Sequence, residues 1–205
     1  EVTSINAYWD RNSPSGAWVY PIPPDASPQT IDWDAFIDGA PKHAFDPVRF
    51  FRWRCFTDYG EGLGGDLFVH LISGIHFITG TNEPAQRAQS SGGLFYFKDG
   101  REFPDLIETL YDYPNFRMTL RCNLNNAGGE FIGFYGKKGT MIIKDSTLTF
   151  TPQNVQPEPE DYSIFGWPKN LRDQYLEKWH EEHPEPKALH WKTEDEGETY
   201  TVPHG

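Results

Sequence analysis

The chain is organised around Gly60-Glu-Gly-Leu-Gly-Gly-Asp66-Leu-Phe-Val-His70-Leu-Ile-Ser-Gly74-Ile-His-Phe-Ile-Thr79. The pattern predicts a glycine-rich turn that leads into a helix, and that helix is apolar on nearly every side. Such a helix is typical of a protein interior rather than of a surface. We therefore expect the rest of the chain to form a layer against which it packs.

Two polar residues, Asp66 and His70, lie four positions apart within this apolar helix. This spacing places both side chains on one face, where Gly74 is the next residue and has no side chain. The face thus offers a carboxylate, an imidazole and an open step where a small polar ligand can bind. A purely structural alternative stays open, with Asp66 as a helix N-cap and His70 as a core histidine bonded to a backbone carbonyl.

Composition limits the class of protein. The 205 residues suffice for one sizeable domain, and aromatic residues make up 16% of them. The formal net charge of −12 argues against a nucleic-acid partner, because phosphate binding requires clustered lysine and arginine. We expect no membrane association, since no apolar run approaches the ~20 residues of a membrane span.

The two cysteines, Cys55 and Cys122, form neither a disulfide framework nor a zinc-binding pattern. Free thiols indicate a reducing compartment, so a bacterial, cytoplasmic protein is the default expectation. The chain opens at Glu1 without a signal peptide or an initiator methionine. It is therefore expected to be a fragment or a processed chain whose true N-terminus lies elsewhere, which leaves export open.

Strand-like alternation recurs along the chain. Turn residues separate the alternating segments, which we expect to form strands at 2–9, 93–97, 106–113, 116–124, 131–135, 140–144 and 147–151. Short connections between successive strands favour antiparallel neighbours, and the central helix should cover one face of their sheet. A shorter helix is expected at 31–38. The predicted fold class is α+β, with an open, mainly antiparallel β-sheet and helices packed on one face.

The amino-acid composition changes at Pro152. Residues 1–151 form the predicted α+β domain, for substrate binding and oligomerisation. Residues 152–205 form an acidic, loop-rich extension in which twelve acidic side chains outnumber five basic ones. One short helix is expected in this extension, at 171–182.

Several segments together resemble a known family. Asp66-x-x-x-His70 follows Tyr59-Gly-Glu-Gly-Leu-Gly-Gly, and flanking matches occur at 31–41, 100–105, 130–136 and 139–140. In order and spacing, residues 1–151 resemble the C-terminal domain of the glucose–fructose oxidoreductase, inositol dehydrogenase and rhizopine catabolism (Gfo/Idh/MocA) family.

The resemblance implies the second half of a two-domain NAD- or NADP-dependent oxidoreductase. The family's N-terminal Rossmann domain binds the cofactor, and its glycine fingerprint and catalytic lysine are both absent from this sequence. We therefore expect no cofactor-binding residue and no metal in this chain, and an inactive isolated fragment. The family commonly associates through the uncovered sheet face, which implies a homo-oligomer.

Carried over by motif, Asp66 and His70 match the family's catalytic pair. Histidine suits the role of the base that takes a proton from a secondary alcohol, while the cofactor accepts the hydride. Asp66 would orient the imidazole or hold a neighbouring hydroxyl group.

Four further residues are candidates for substrate binding: Arg11, Asn12, Arg54 and Tyr59. Arg54 would suit an acidic sugar. The structural alternatives are a turn pair for Arg11 and Asn12, and ion pairing for Arg54.

The sequence thus favours an oxidoreductase domain acting on a sugar, polyol or related hydroxy compound. The alternative is a non-catalytic carbohydrate-binding or scaffold module, which the missing cofactor motif supports. A metal site at Asp66 and His70 would have two ligands, too few for a strong site.

Overall fold

The first strand, β1 (Val2–Asp10), shows the alternation of a sheet that is covered on one side. Ile5 and Ala7 are buried, whereas Asn6 between them is exposed. This period of two is what the pleat requires when one face packs on a core. The structure is a computed structural model that describes residues 1–153, 161–183 and 198–201.

Seven more strands complete one sheet in the described residues: β2 (Arg87–Gly93), β3 (Leu106–Asp112), β4 (Arg117–Asn123), β5 (Gly129–Gly136), β6 (Gly139–Lys144), β7 (Thr147–Pro152) and β8 (Glu198–Thr201). Their order across the sheet is β2-β3-β4-β1-β5-β6-β7-β8. All neighbours are antiparallel except β1 and β4, which run parallel. The predicted α+β class with an open, mainly antiparallel sheet is confirmed.

The α-helices of the described residues are α1 (Trp33–Phe36), α2 (Pro47–Phe51), α3 (Gly62–Asp66), α4 (Phe68–Thr79), α5 (Asp161–Ile164) and α6 (Lys169–Glu182). Only α4 and α6 are longer than five residues. The helix predicted at 31–38 is one turn only. Its start is fixed by Asp32, whose carboxylate accepts a hydrogen bond from the Ala35 amide.

The core lies between the sheet and one side of α3 and α4. Two sets of residues meet in one buried cluster: Leu63, Leu67, Phe68, Leu71 and Ile75 from the helices, and Ile5, Ala7, Met118, Leu120, Cys122 and Phe134 from the strands. Each large apolar side chain buried in this way contributes about 1.5–3 kcal/mol to the free energy of folding.

The prediction that this helix is interior on nearly every side is wrong for its outer face. Val69, Phe77 and Ile78 are exposed, and Phe77 retains 88% of its accessible surface. A helix that packs on a sheet buries one stripe, so apolar residues beyond that stripe stay uncovered in this chain.

The expectation that no apolar stretch approaches membrane-span length also needs correction. Residues Gly62–Thr79 are long and apolar enough to cross a membrane, by length and composition alone. In the structure this segment is divided at Leu67 and buries its inner stripe on the sheet.

The glycine-rich stretch is helical rather than a turn, and it begins at a position that only glycine fits. Gly62 has φ +60°, in the left-handed region. A Cβ atom at Gly62 would also lie 2.5 Å from the ring of Phe103. The start of α3 therefore depends on the absence of a side chain here.

The strand predicted at 93–97 is wrong, because a buried carboxylate bends that segment. Asp105 is fully buried and accepts hydrogen bonds from the amides of Phe95, Tyr96 and Phe97 at 2.8–3.1 Å. Burial by itself raises the pKa of Asp105, but these amides and the nearby Arg101 outweigh it and hold the pKa below its usual range. The strand ends instead at Gly93.

The predicted C-terminal extension contains a strand of the sheet as well as a helix. α6 covers the helix expected at 171–182, and β8 pairs antiparallel with β7 as the eighth strand. The remaining parts of the extension, 154–160, 184–197 and 202–205, lie outside the described residues.

Alanine at Gly62 should destabilise the protein, whereas alanine at Gly64 should not. Gly62→Ala places a side chain at positive φ, which costs about 1–3 kcal/mol, and adds the clash with Phe103. Gly64 is exposed within α3 and a Cβ there meets nothing within 4 Å, so Gly64→Ala should stabilise by about 0.4–1 kcal/mol. Urea unfolding of the two variants measures both effects. Equal stabilities would contradict this account of the helix start.

Replacing the buried carboxylate, Asp105→Asn, should lower the free energy of unfolding by about 2–3 kcal/mol at pH 7. The folded pKa lies below the unfolded value of about 3.9, so the carboxylate stabilises the fold above pH ~4 and loses this effect as the pH falls through the folded pKa. The variant should therefore show a flatter acid limb. Denaturant unfolding from pH 2 to 7 measures both quantities.

Asp112→Asn is the matched control, because Asp112 pairs with the exposed Arg117 at 2.7 Å. Removing such a surface pair should cost less than about 1 kcal/mol. Similar losses in the two variants would show that the amide contacts of Asp105 do not stabilise the fold.

Candidate functional site

The predicted pair lies at the junction of the two central helices. Asp66 is the last residue of α3, and His70 is in the first turn of α4 after a bend at Leu67. His70 is exposed, and within the described residues its imidazole makes no hydrogen bond. The alternative of a satisfied core histidine is therefore wrong.

Asp66 does not act as a helix cap. The residue that caps α4 is Leu67, which provides no side-chain hydrogen bond. Instead, the Asp66 carboxylate accepts a hydrogen bond from Arg54 Nε at 2.9 Å, with both side chains about one third exposed. Arg54, whose guanidinium lies 4.3 Å from the Trp53 ring centroid, is the positioning partner of Asp66.

A residue that sequence reasoning missed, Trp9, contacts the histidine. The Trp9 and His70 ring centroids are 5.5 Å apart, with their planes at 75°. Trp9 has the same parity along β1 as Ile5 and Ala7, so it faces the helices at the carboxyl end of this central strand. That parity was visible in the sequence, but the packing of β1 under α4 was not.

Arg11 joins the same group. Its guanidinium carbon lies 4.2 Å from the Trp9 ring centroid, in cation–π geometry. In the described part of the chain it forms no ion pair. Asn12 follows as an exposed residue.

Tyr59 contacts a different set of residues. Its ring packs against Phe36, with centroids 4.9 Å apart, and its hydroxyl oxygen is buried without a hydrogen-bond partner among the described residues. The structure thus pairs Arg54 with Asp66, brings His70 and Arg11 into contact with Trp9, and leaves Tyr59 in an aromatic cluster with α1.

The cysteines take no part in this arrangement. Cys55 and Cys122 are buried free thiols, and burial raises the pKa of both, to about 12 for Cys122. Cys122 Sγ donates a hydrogen bond to the Trp9 carbonyl at 2.9 Å. No group of three or more potential metal ligands occurs in the described ranges.

The arrangement can accept a proton and hold a polar ligand. An exposed imidazole with free ring nitrogens is available to a hydroxyl group brought against Trp9. At the end of α3, Arg54 holds one oxygen of the Asp66 carboxylate, and the other oxygen accepts no hydrogen bond from the residues that the structure describes.

Comparison with known sequences finds no family model that matches the chain and no curated protein that is significantly similar. Solved structures do match. An oxidoreductase from Thermotoga maritima is 13% identical with a TM-score of 0.47, over 85% of this chain and 43% of that one. The WlbA dehydrogenase from Bordetella pertussis, in complex with NADH and UDP-GlcNAcA, is 12% identical with a TM-score of 0.45, over 84% and 44%.

A mutant of the Saccharomyces cerevisiae protein Gal80p is 13% identical with a TM-score of 0.46, over 92% of this chain and 47% of that one. The chain therefore spans less than half the length of these proteins. At these identities the likeness concerns the fold, and function has to come from the residues of the site. In these partial matches the chain is similar to an oxidoreductase, a dehydrogenase and Gal80p, each at a TM-score below 0.5.

Proposed function

We propose that this chain is the substrate-binding part of an NAD(P)-dependent oxidoreductase that acts on a sugar, polyol or related hydroxy compound. The observation that carries the proposal is the exposed His70, which has no hydrogen-bond partner in the described structure and lies beside Trp9. A core histidine would be satisfied by the protein, whereas a catalytic base has to be available to substrate.

In this proposal His70 takes the proton from the hydroxyl group that is oxidised. The Trp9 indole, which carries the Arg11 guanidinium on one part of its ring, offers its remaining apolar surface to a sugar ring. Asp66, held by Arg54, accepts a hydrogen bond from a neighbouring hydroxyl group and so orients the substrate. When bound, the nicotinamide ring supplies the hydride chemistry.

The sequence has no G-x-G-x-x-G fingerprint, so in this proposal the dinucleotide is not bound by the residues of this chain. The outer side of α4 is nevertheless open beside His70. A Cβ atom at Gly74 would meet nothing within 4 Å, and Val69 and Phe77 are exposed. We place the cofactor on a second domain that covers this surface, outside the 205 residues.

His70→Ala should lower kcat/KM for alcohol oxidation by about 10²- to 10⁴-fold in the protein that carries both domains, because the base is lost. Reduction of NAD⁺ or NADP⁺ with a panel of sugars and polyols measures this loss.

His76→Gln is the matched control on the same helix. His76 hydrogen-bonds to the Tyr113 hydroxyl at 2.7 Å, away from Trp9, so turnover should change less than about threefold. Equal activity of the two variants would remove His70 from the mechanism. Sugar binding without any turnover would favour the non-catalytic binding module.

We further propose that the protein forms a homo-oligomer through its outer sheet face, the face turned away from α3 and α4. By strand register this face carries Asn6, Tyr8, Thr119, Arg121, Phe131, Tyr135, Ile142 and Thr149. Polar side chains alternate with a few aromatic rings on this face. Tyr8 and Phe131 stack with centroids 4.9 Å apart, and Arg121 lies 4.7 Å above Tyr8.

Phe131→Asp should dissociate such an oligomer by placing a charge in the centre of its interface. Phe77→Asp, on the exposed side of α4, should leave the subunit number unchanged. Sedimentation velocity at several protein concentrations measures the outcome, and an unchanged sedimentation coefficient for Phe131→Asp would refute this interface.

A further inference from the structure

The two arginines of the site differ in their partners. Arg54 is paired with Asp66, so its charge is already compensated. Arg11 is half-buried on the face of Trp9 and has no carboxylate partner within the described ranges. Arginine is suited to carboxylate and phosphate recognition, and this guanidinium has no internal anion that would compete for its donors in the described part of the chain.

The cation–π contact leaves the N–H donors of this guanidinium available, since none of them donates a hydrogen bond within the described part of the chain. The ring attracts the cation as a whole and takes up none of its N–H groups. Two parallel N–H groups can then bind two oxygens of a planar or tetrahedral anion.

We propose that Arg11 binds an anionic group of the substrate, so that the compound recognised at this site is an acidic sugar derivative with a carboxylate or a phosphate. This inference rests on the proposed function and names the substrate class of the same site. The guanidinium carbon and the His70 imidazole contact the same indole, at 4.2 and 5.5 Å from a ring centroid. One small molecule that lies on Trp9 can therefore reach both groups.

Two acidic residues of this region are already paired with other arginines. Asp10 forms an ion pair with Arg121, and Asp66 is held by Arg54. Glu130 is opposite Trp9 in the register of β1 and β5, is exposed, and has no ion pair among the described residues. Glu130 would repel an anion and accept hydrogen bonds from hydroxyl groups, so it sets the polarity of the ligand. The acidic end lies at Arg11 and the hydroxyl-rich end lies towards Glu130.

The test is calorimetric titration of the chain with three probes: glucuronate, glucose 6-phosphate and glucose. At least one anionic probe should bind about tenfold or more tightly than glucose, since a hydrogen bond to a charged group contributes about 1.5–3 kcal/mol. Preference for glucuronate assigns a carboxylate, and preference for glucose 6-phosphate assigns a phosphate.

Arg11→Gln should abolish this preference, so that the two anionic probes bind no more tightly than glucose. Arg11→Lys keeps a charge but loses the paired donors, so it should retain only part of the preference and serves if the glutamine variant fails to fold. Arg117→Gln is the control, because Arg117 is an exposed arginine paired with Asp112 on β3.

The inference is overturned if the anionic probes bind no more tightly than glucose, if none of the three binds, or if the preference survives in Arg11→Gln. These results are distinct from those of the turnover assay. Oxidation of neutral sugars without anion preference would leave the proposed oxidoreductase function intact, whereas anion binding through Arg11 without turnover would refute the function and support this site.

Discussion

Burial of one face of α4 on the centre of the sheet, where β1 and β4 pair, is the constraint on which the rest of this structure depends. β1 is inserted between β4 and β5, so it pairs with both halves of the sheet and its inner residues lie beneath the helix. The same packing sets the site. Because strand side chains alternate, a register shift of one residue would turn Trp9 to the outer face and separate it from His70.

Much of this fold could be predicted because its signals are local. Alternation over five to eight residues and turn residues between them define β3 to β7. The parallel pairing of β1 with β4 could not be predicted in this way, because it joins segments more than a hundred residues apart. The error at 93–97 has a similar cause, since the carboxylate that bends this segment comes from Asp105.

The candidate site shows the same difference between local signals and contacts that depend on long-range packing. The four-residue spacing predicts Asp66 and His70 on one face of a single helix, but the structure divides that helix at Leu67, so Asp66 ends α3 and His70 lies in the first turn of α4. The contact of Trp9 with His70 and the pairing of Arg54 with Asp66 depend on how separate elements pack. Tyr59 shows the limit of proximity along the chain, because it lies seven residues before Asp66 and its ring turns towards Phe36.

The buried carboxylate of Asp105 has a consequence for the loop that it bends. Phe95 and Tyr96 each expose 67% of their surface, yet their backbone amides are bound to an oxygen atom inside the protein. The conformational entropy of this loop is therefore already lost when the chain folds. Any molecule that contacts these two rings has only side-chain rotamers to immobilise, so they form a preorganised aromatic surface on an otherwise hydrophilic edge of the sheet.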